Sequence, residues 1–231
     1  MNGSIPASEM MRRRLVTVAP EDDVAKGIEL MLRHKVSGLP VVTPDRQYQG
    51  MFSQKCCFRL MRRADNVYTS MTAKLPRVAE FMESELLVLH PEMDVFSAIR
   101  LLLDHRYSGA PVVSDAGQFL GVFSEKTCLH LVIDAAFYQQ PTATVSAFMN
   151  TETERILDPD DDLLTVIRRF VETPYRRLPV LDRGRLVGQV SRCDVLRSRD
   201  GVVTLLASSK DRQLLRLSRT LKSPTKRLTK N

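Results

Sequence analysis

Three serines in this 231-residue chain are each followed, three positions later, by a side chain able to share their polar chemistry. They are Ser53-Gln-Lys-Cys56, Ser124-Glu-Lys-Thr127 and Ser191-Arg-Cys-Asp194. The third is close to a capping box, in which a helix-starting serine and an acid three residues on satisfy unpaired backbone donors. Near it in the sequence stand Arg176, Arg177 and Arg192, whose planar guanidinium forks suit phosphate oxygens. Pairing with the carboxylates of Asp158 and Asp160 to Asp162 is equally compatible with those arginines. Reaction chemistry finds less support. No nucleophile with an attendant base, no glycine-rich phosphate loop and no His-Glu-x-x-His can be read, so no catalytic or metal residue is assigned. His90 and His130 have no partners at metal-ligand spacing, and His34 and His105 read as helix-end residues. Four cysteines are too few for a disulfide scaffold, and the adjacent pair Cys56-Cys57 cannot act as a zinc knuckle. A helix start could lower a thiol pKa there. Because Cys128 repeats Cys57 at the same apolar position, packing explains Cys57 better.

The elements that must carry these residues repeat three times. Pro20-Glu-Asp-Asp23 leads to Leu39-Pro40-Val41-Val42, Pro91-Glu-Met-Asp94 to Ala110-Pro111-Val112-Val113, and Pro159-Asp-Asp-Asp162 to Leu178-Pro179-Val180-Leu181. Each continues to a turn and then to Gly50-Met-Phe-Ser53, Gly121-Val-Phe-Ser124 or Gly188-Gln-Val-Ser191. Met11, Met82 and Met149 occupy one matching position upstream. Copies one and two keep a constant offset of 71 from Met11/Met82 to Cys57/Cys128, whereas copy three is one residue shorter in its hairpin. Apolar residues at helical spacing (Val24, Ile28, Met31 and Leu32, and their equivalents) follow each acidic cluster, which suits a helix N-terminus. The predicted order is strand, helix, strand, strand, helix, with the serines capping second helices over Gln54 to Arg63, Glu125 to Phe137 and Arg192 to Arg199. Arg176 and Arg177 take the places of Ser37-Gly38 and Ser108-Gly109. The fold class is mixed α/β (α+β), with repeats at 8–63, 79–138 and 146–202 and a basic tail over 203–231.

In these features the sequence resembles the CBS domain, the repeat named after cystathionine β-synthase, over nearly all of residues 8–202. The resemblance implies copies paired through their sheets as a pseudo-twofold module, with adenosine-containing ligands in the clefts. It also implies that a Ser or Thr followed three residues later by Asp holds the ribose. A carboxylate suits a vicinal diol because its two oxygens are charged acceptors. Ser191 and Asp194 match fully. Ser124 and Thr127 make a weaker second site, and Cys56 is a poor acceptor. By the same resemblance, backbone around Leu178 and Pro179 and around the residues after Met149 lies against the adenine. Arg176, Arg177 and Arg192 near one cleft mouth are the candidates for phosphate, with the acidic pairing given above as the equal alternative. The capping-box reading of Ser191 and Asp194 stays open beside this one.

Composition limits the remainder. With 43% hydrophobic residues the chain is globular, and neither a secretory leader nor an apolar run long enough for a membrane span can be read, so a cytoplasmic protein is expected. The net charge of +7 lies entirely beyond Val202, where eight basic residues meet only Asp211; residues 1–202 balance to zero. Leucines among those basic residues suggest an amphipathic helix, either for an acidic partner or docked on the body, the latter being favoured. Three copies cannot all pair. Copies one and two, being more alike, are expected to pair, leaving copy three to meet its counterpart in a homodimer. The functional expectation is a non-enzymatic regulatory module. It would sense an AMP-, ADP- or ATP-like ligand chiefly through copy three, with no required cofactor. An interaction scaffold with vestigial sites and a partner-binding tail is the alternative.

Overall fold

A proline at the centre of each predicted strand removes one backbone donor but leaves its carbonyl free to accept. The computed structural model, which describes residues 5–63, 75–127, 144–207 and 212–222, uses that carbonyl in the same way three times. Val18, Leu89 and Leu157 donate from their N–H groups to Pro40, Pro111 and Pro179, at 3.0, 2.9 and 2.9 Å. Each is a one-residue parallel bridge, to which the first predicted strand of every copy is reduced. The chain then crosses through a helix to an antiparallel hairpin. In copy one these elements are α2 (Val24–His34), β1 (Gly38–Val42) and β2 (Tyr48–Ser53), preceded by a short turn of helix α1 (Ala7–Met10) and followed by α3 (Gln54–Arg62). Copy two supplies α4 (Val95–Asp104), β3 (Gly109–Val113) and β4 (Phe119–Ser124). Copy three supplies α5 (Leu163–Glu172), β5 (Arg177–Asp182), β6 (Arg185–Ser191) and α6 (Arg192–Arg197). The second helix expected over Glu125 to Phe137 begins at Glu125, and its length beyond Thr127 lies outside the described residues.

The acidic clusters do what their position suggests. Asp23, Asp94 and Asp162 each occupy the N-cap and accept from Ala25, Ser97 and Thr165 N–H, satisfying donors that have no partner within the helix. The shorter hairpin of copy three is a two-residue turn, with Arg183 and Gly184 both at positive φ (50° and 80°), the geometry that matches strand twist. One serine departs from expectation. Ser53 makes no side-chain cap bond to the α3 backbone. Its hydroxyl meets Cys56 Sγ at 3.3 Å, as Ser124 meets Thr127 Oγ1 at 3.4 Å and Ser191 donates to Asp194 Oδ2 at 2.7 Å. The interaction with the side chain three residues on is therefore common to all three copies.

Chain contacts divide the molecule into two units. Unit one holds residues 1–73 and 196–231, and unit two holds 74–195. Unit two is the intramolecular pair, built by exchange. The segment before copy two runs to copy three, where Val78 N–H donates to Asp161 O at 2.8 Å and Ala79 N–H to Pro159 O at 3.0 Å. The segment before copy three answers on copy two, with Val145 N–H to Met93 O and Ser146 N–H to Pro91 O, both at 2.9 Å. Glu83 then bridges to Gln189 and Asn150 to Val122, so each lead-in adds to the other copy's hairpin. Met149 lies over Gly121 and Met82 over Gly188, where a Cβ would collide with the methionine and with backbone oxygens at 2.9 and 3.2 Å. Val78 and Val145 are fully buried. Copies two and three are thus the pair, not copies one and two. The dimer expected through copy three loses its basis, because copy two already covers that face. Similarity between copies did not report contact between them.

In unit one, copy one has the C-terminal segment as its neighbour. The tail forms α7 (Arg199–Ala207) and α8 (Arg212–Lys222), which pack on each other, α7 also on α3 and α8 on α2. Val202, Val203, Leu205, Leu206, Leu214 and Leu217 are buried, while Arg216, Arg219 and Lys222 stay exposed. The docked alternative holds for these leucines, and the segment is not a detachable appendage. Cys57 is buried, as are Phe58 and Met61 of the same helix, and burial pushes its thiol up to about 12 rather than down. None of the described helices is long and apolar enough to cross a membrane.

Candidate functional site

Where the two hairpins of unit two face each other's lead-ins, a cleft of about 850 Å³ remains. Copy two contributes Ser108 and Gly109 at the start of β3, and Ser124, Glu125, Lys126 and Thr127 where β4 turns into helix. Copy three contributes its crossing lead-in (Phe148, Met149, Asn150), Gln189 on β6, and a wall of Arg155, Tyr175, Arg176 and Arg177. Gly109 is required here by close approach, since a Cβ would stand 2.8 Å from Phe123 O. In copy three the same hairpin position is Arg177, which pairs with Ser191 as Gly109 pairs with Ser124.

The cationic wall rests on aromatic faces. Arg155 is 5% exposed, with its guanidinium carbon 3.8 Å from the centre of the Tyr175 ring. Its buried Nε has no hydrogen-bond partner among the described residues. Burial depresses the Arg155 pKa, and the Glu152 carboxylate opposes that effect. Arginine keeps its charge in proteins, so the depression measures a desolvated cation, which an anion would compensate. Glu152 also accepts from the Tyr175 hydroxyl, which fixes the ring under Arg155. Arg177 lies 4.7 Å over the Tyr107 ring. Arg176 pairs with Glu125 at 3.9 Å, but both side chains are well exposed and such a pair is worth little.

The residues singled out from the sequence fall into two groups. Arg176, Arg177, Ser124 and Thr127 line the cleft together. Ser191, Asp194, Arg192, Leu178 and Pro179 are not on its lining. Asp194 Oδ2 accepts from both the N–H and the hydroxyl of Ser191 at 2.7 Å, which is the carboxylate half of a capping box. Arg192 Nη2 donates to Tyr175 O at 2.8 Å and Phe170 O at 3.3 Å, with the guanidinium 5.4 Å over the Phe170 ring. It therefore holds the backbone that presents Arg176, and burial followed by the Arg176 charge depresses its pKa. Leu178 is buried and paired with Val190, while the Pro179 carbonyl is taken by Leu157 N–H. The carboxylates weighed as partners for the arginines are engaged elsewhere. Asp158 and Asp161 bond to backbone within their own turn, Asp160 pairs with Arg77, and Asp162 caps α5. Arg155 was not anticipated. It sits on the turn Thr153–Arg155, in the stretch where copy three gains one residue over copy two, so no repeat counterpart pointed to it.

Comparison with known proteins accords with this architecture. A family model described as CBS domain matches residues 7–63, 78–134 and 145–201. Protein MJ1225 of Methanocaldococcus jannaschii is 26% identical over 195 residues, covering 80% of this chain and 68% of that protein. The 5'-AMP-activated protein kinase subunit gamma-3 of Homo sapiens is 24% identical over 200 residues, again 80% of this chain. The match spans only 40% of that subunit's length. The crystal structure of MJ1225 superposes with a TM-score of 0.72 at 19% identity, covering 83% of this chain and 69% of the other, a likeness of fold.

Proposed function

The chain belongs to the CBS domain family, and on that footing we propose that it is a non-catalytic regulatory module that binds an adenosine-containing nucleotide in unit two. One observation carries this reading: a single cleft gathers Arg155, Arg176 and Arg177 along one wall and the Ser124 and Thr127 hydroxyls along another. Cations opposite hydroxyls at the mouth of a partly apolar cleft suit a phosphate joined to a sugar and a flat base. Relatives named as subunits of a 5'-AMP-activated kinase support an adenylate of the AMP, ADP or ATP kind as the ligand.

Two ribose positions are open to such a ligand. One is the Ser124 and Thr127 pair, which is neutral. The other is Ser191 with Asp194, the one motif of the three that ends in a carboxylate, with adenine against the backbone near Leu178 and Pro179. Arg192 acts in either case by holding the Arg176 backbone. The scaffold reading draws on one specific observation, that Asp194 is already hydrogen-bonded within its own helix turn.

Thermal shift of the full chain with AMP, ADP, ATP and S-adenosylmethionine separates these readings. Ligand at 100 times its dissociation constant adds about 2.7 kcal/mol of stability, an easily measured shift. The nucleotide reading expects a shift that falls sharply in the Arg176→Ala, Arg177→Ala double variant. Loss in Asp194→Ala identifies the copy-three ribose position, and loss in Thr127→Val identifies the copy-two position. No shift with any of the four compounds favours the scaffold.

A further inference from the structure

Copy one carries the same pairing equipment as copies two and three, and within unit one that equipment is exposed. Its lead-in already forms the helical turn α1, the counterpart of the turns Val78–Glu80 and Val145–Ala147 that cross between copies two and three. Met11, the equivalent of Met82 and Met149, is 52% exposed, and Met10 beside it is 75% exposed. On the hairpin, Tyr48 and Met51 are 65% and 54% exposed, and Leu15 is 57% exposed. Gly50 is the counterpart of Gly121 and Gly188, each overlaid by a methionine from the other copy. Above Gly50 a Cβ would meet nothing within 4 Å. Most of the large exposed apolar side chains among the described residues are gathered on this one copy.

Unit two also shows how such a face is closed. Its hairpin turns abut in an antiparallel bridge between Gln118 and Arg185, which occupy the same position in the two copies. Phe119 N–H donates to Gly184 O at 3.2 Å and Leu186 N–H to Gly117 O at 3.4 Å on either side. A bridge between equivalent positions lies on the pseudo-twofold axis. The residue of copy one at that position is Gln47, in a turn closed as in copy two, with Thr43 N–H on Gln47 O at 3.0 Å and Ser114 N–H on Gln118 O at 2.9 Å. An arginine at an exact twofold axis would face its own charge. A glutamine amide both donates and accepts, so it can pair with its own copy. Arg46 takes the place of Gly117 and Gly184, where an added Cβ would meet the other copy's residue at the Gln47 position. The face is thus self-complementary, as an isologous contact requires.

We propose that copy one is the homodimer interface, and that two chains pair copy one with copy one as copies two and three pair within the chain. The lead-ins exchange, each Met11 covers the partner's Gly50, and Arg12 bridges to the partner's Met51. This rests on the repeat geometry alone and is independent of the nucleotide reading.

Sedimentation velocity of the full chain from 1 to 50 µM tests it. The expected species has twice the 26.2 kDa chain mass. Met11→Glu and Met51→Glu, both at positions more than half exposed within the chain, should each weaken dimerisation by ~30-fold or more, the size of a hot-spot loss, with unchanged circular dichroism. Bridged antiparallel residues with exchanged hydrogen bonds have Cα atoms about 5.5 Å apart, within reach of a disulfide. The Arg12→Cys, Met51→Cys double variant should therefore oxidise to a covalent dimer that neither single variant forms. A monomer throughout the range would overturn the proposal. So would a dimer indifferent to both glutamates, or a double variant that gives no covalent dimer.

Discussion

Replacing Leu214 with alanine asks whether the C-terminal helices belong to the fold of unit one. Leu214 is fully buried, so the substitution removes three carbon atoms from a filled interior. At about 0.8 kcal/mol for each buried methylene the transfer loss alone is roughly 2.4 kcal/mol. A residual cavity raises Leu→Ala changes into the range of about 2–5 kcal/mol. The upper end applies if α8 lets go, because an isolated helix of 11 residues is marginal in water and is held by its packing. Release would also uncover Leu217 and the α7 leucines beneath it. We expect a loss of about 3 kcal/mol, read as a lower urea midpoint by far-ultraviolet circular dichroism. Arg216→Ala, on the exposed side of the same helix, should stay within about 0.5 kcal/mol of wild type. Hydrogen exchange should show the loss first in α2 and α7, which α8 covers. If Leu214→Ala behaves like Arg216→Ala, the docked arrangement is wrong and the tail is the free basic segment its charge suggested.

Three further outcomes follow from local geometry. Asp162→Ala removes the acceptor for Thr165 N–H at the start of α5 and should cost about 0.5–2 kcal/mol in equilibrium unfolding. Gly109→Ala drives a Cβ to 2.8 Å from backbone oxygen and should cost about 1–3 kcal/mol, whereas the equivalent Gly38→Ala, with its nearest atoms at 3.3 Å, should be milder; calorimetric melting of both variants makes the comparison. Cys57 should resist thiol reagents that modify the partly exposed Cys56. Its thiol is neutral in both states below pH 9. Above that the unfolded chain loses the proton first, so stability should fall as pH rises toward about 12, and less steeply in Cys57→Ala.

Much of this architecture was readable because local rules act within one copy. The N-cap aspartates, the central prolines and the two-residue turn of copy three depend only on their neighbours, so their spacing was enough. Partner choice depends on what lies across an interface, and there the stronger likeness of copies one and two misled. The relevant difference is on the pairing face, where copy one has Tyr48 and Met51 in place of Phe119 and Val122. The site divided for a similar reason. Arg176 and Arg177 were assigned beside Asp194 because they share its copy, but a long side chain on a paired module can line a cleft with the other copy's residues. The tail's apolar stripe was plain, while its destination on α2 and α3 had no signal in composition.

Calorimetric titration of AMP into the 231-residue chain is the decisive test of nucleotide binding. The account predicts saturable heat with at least one nucleotide per chain, abolished when Arg176 and Arg177 are both alanine and retained when Arg216 is. An absence of heat at millimolar AMP, ADP and ATP, or binding that survives loss of both arginines, would contradict it.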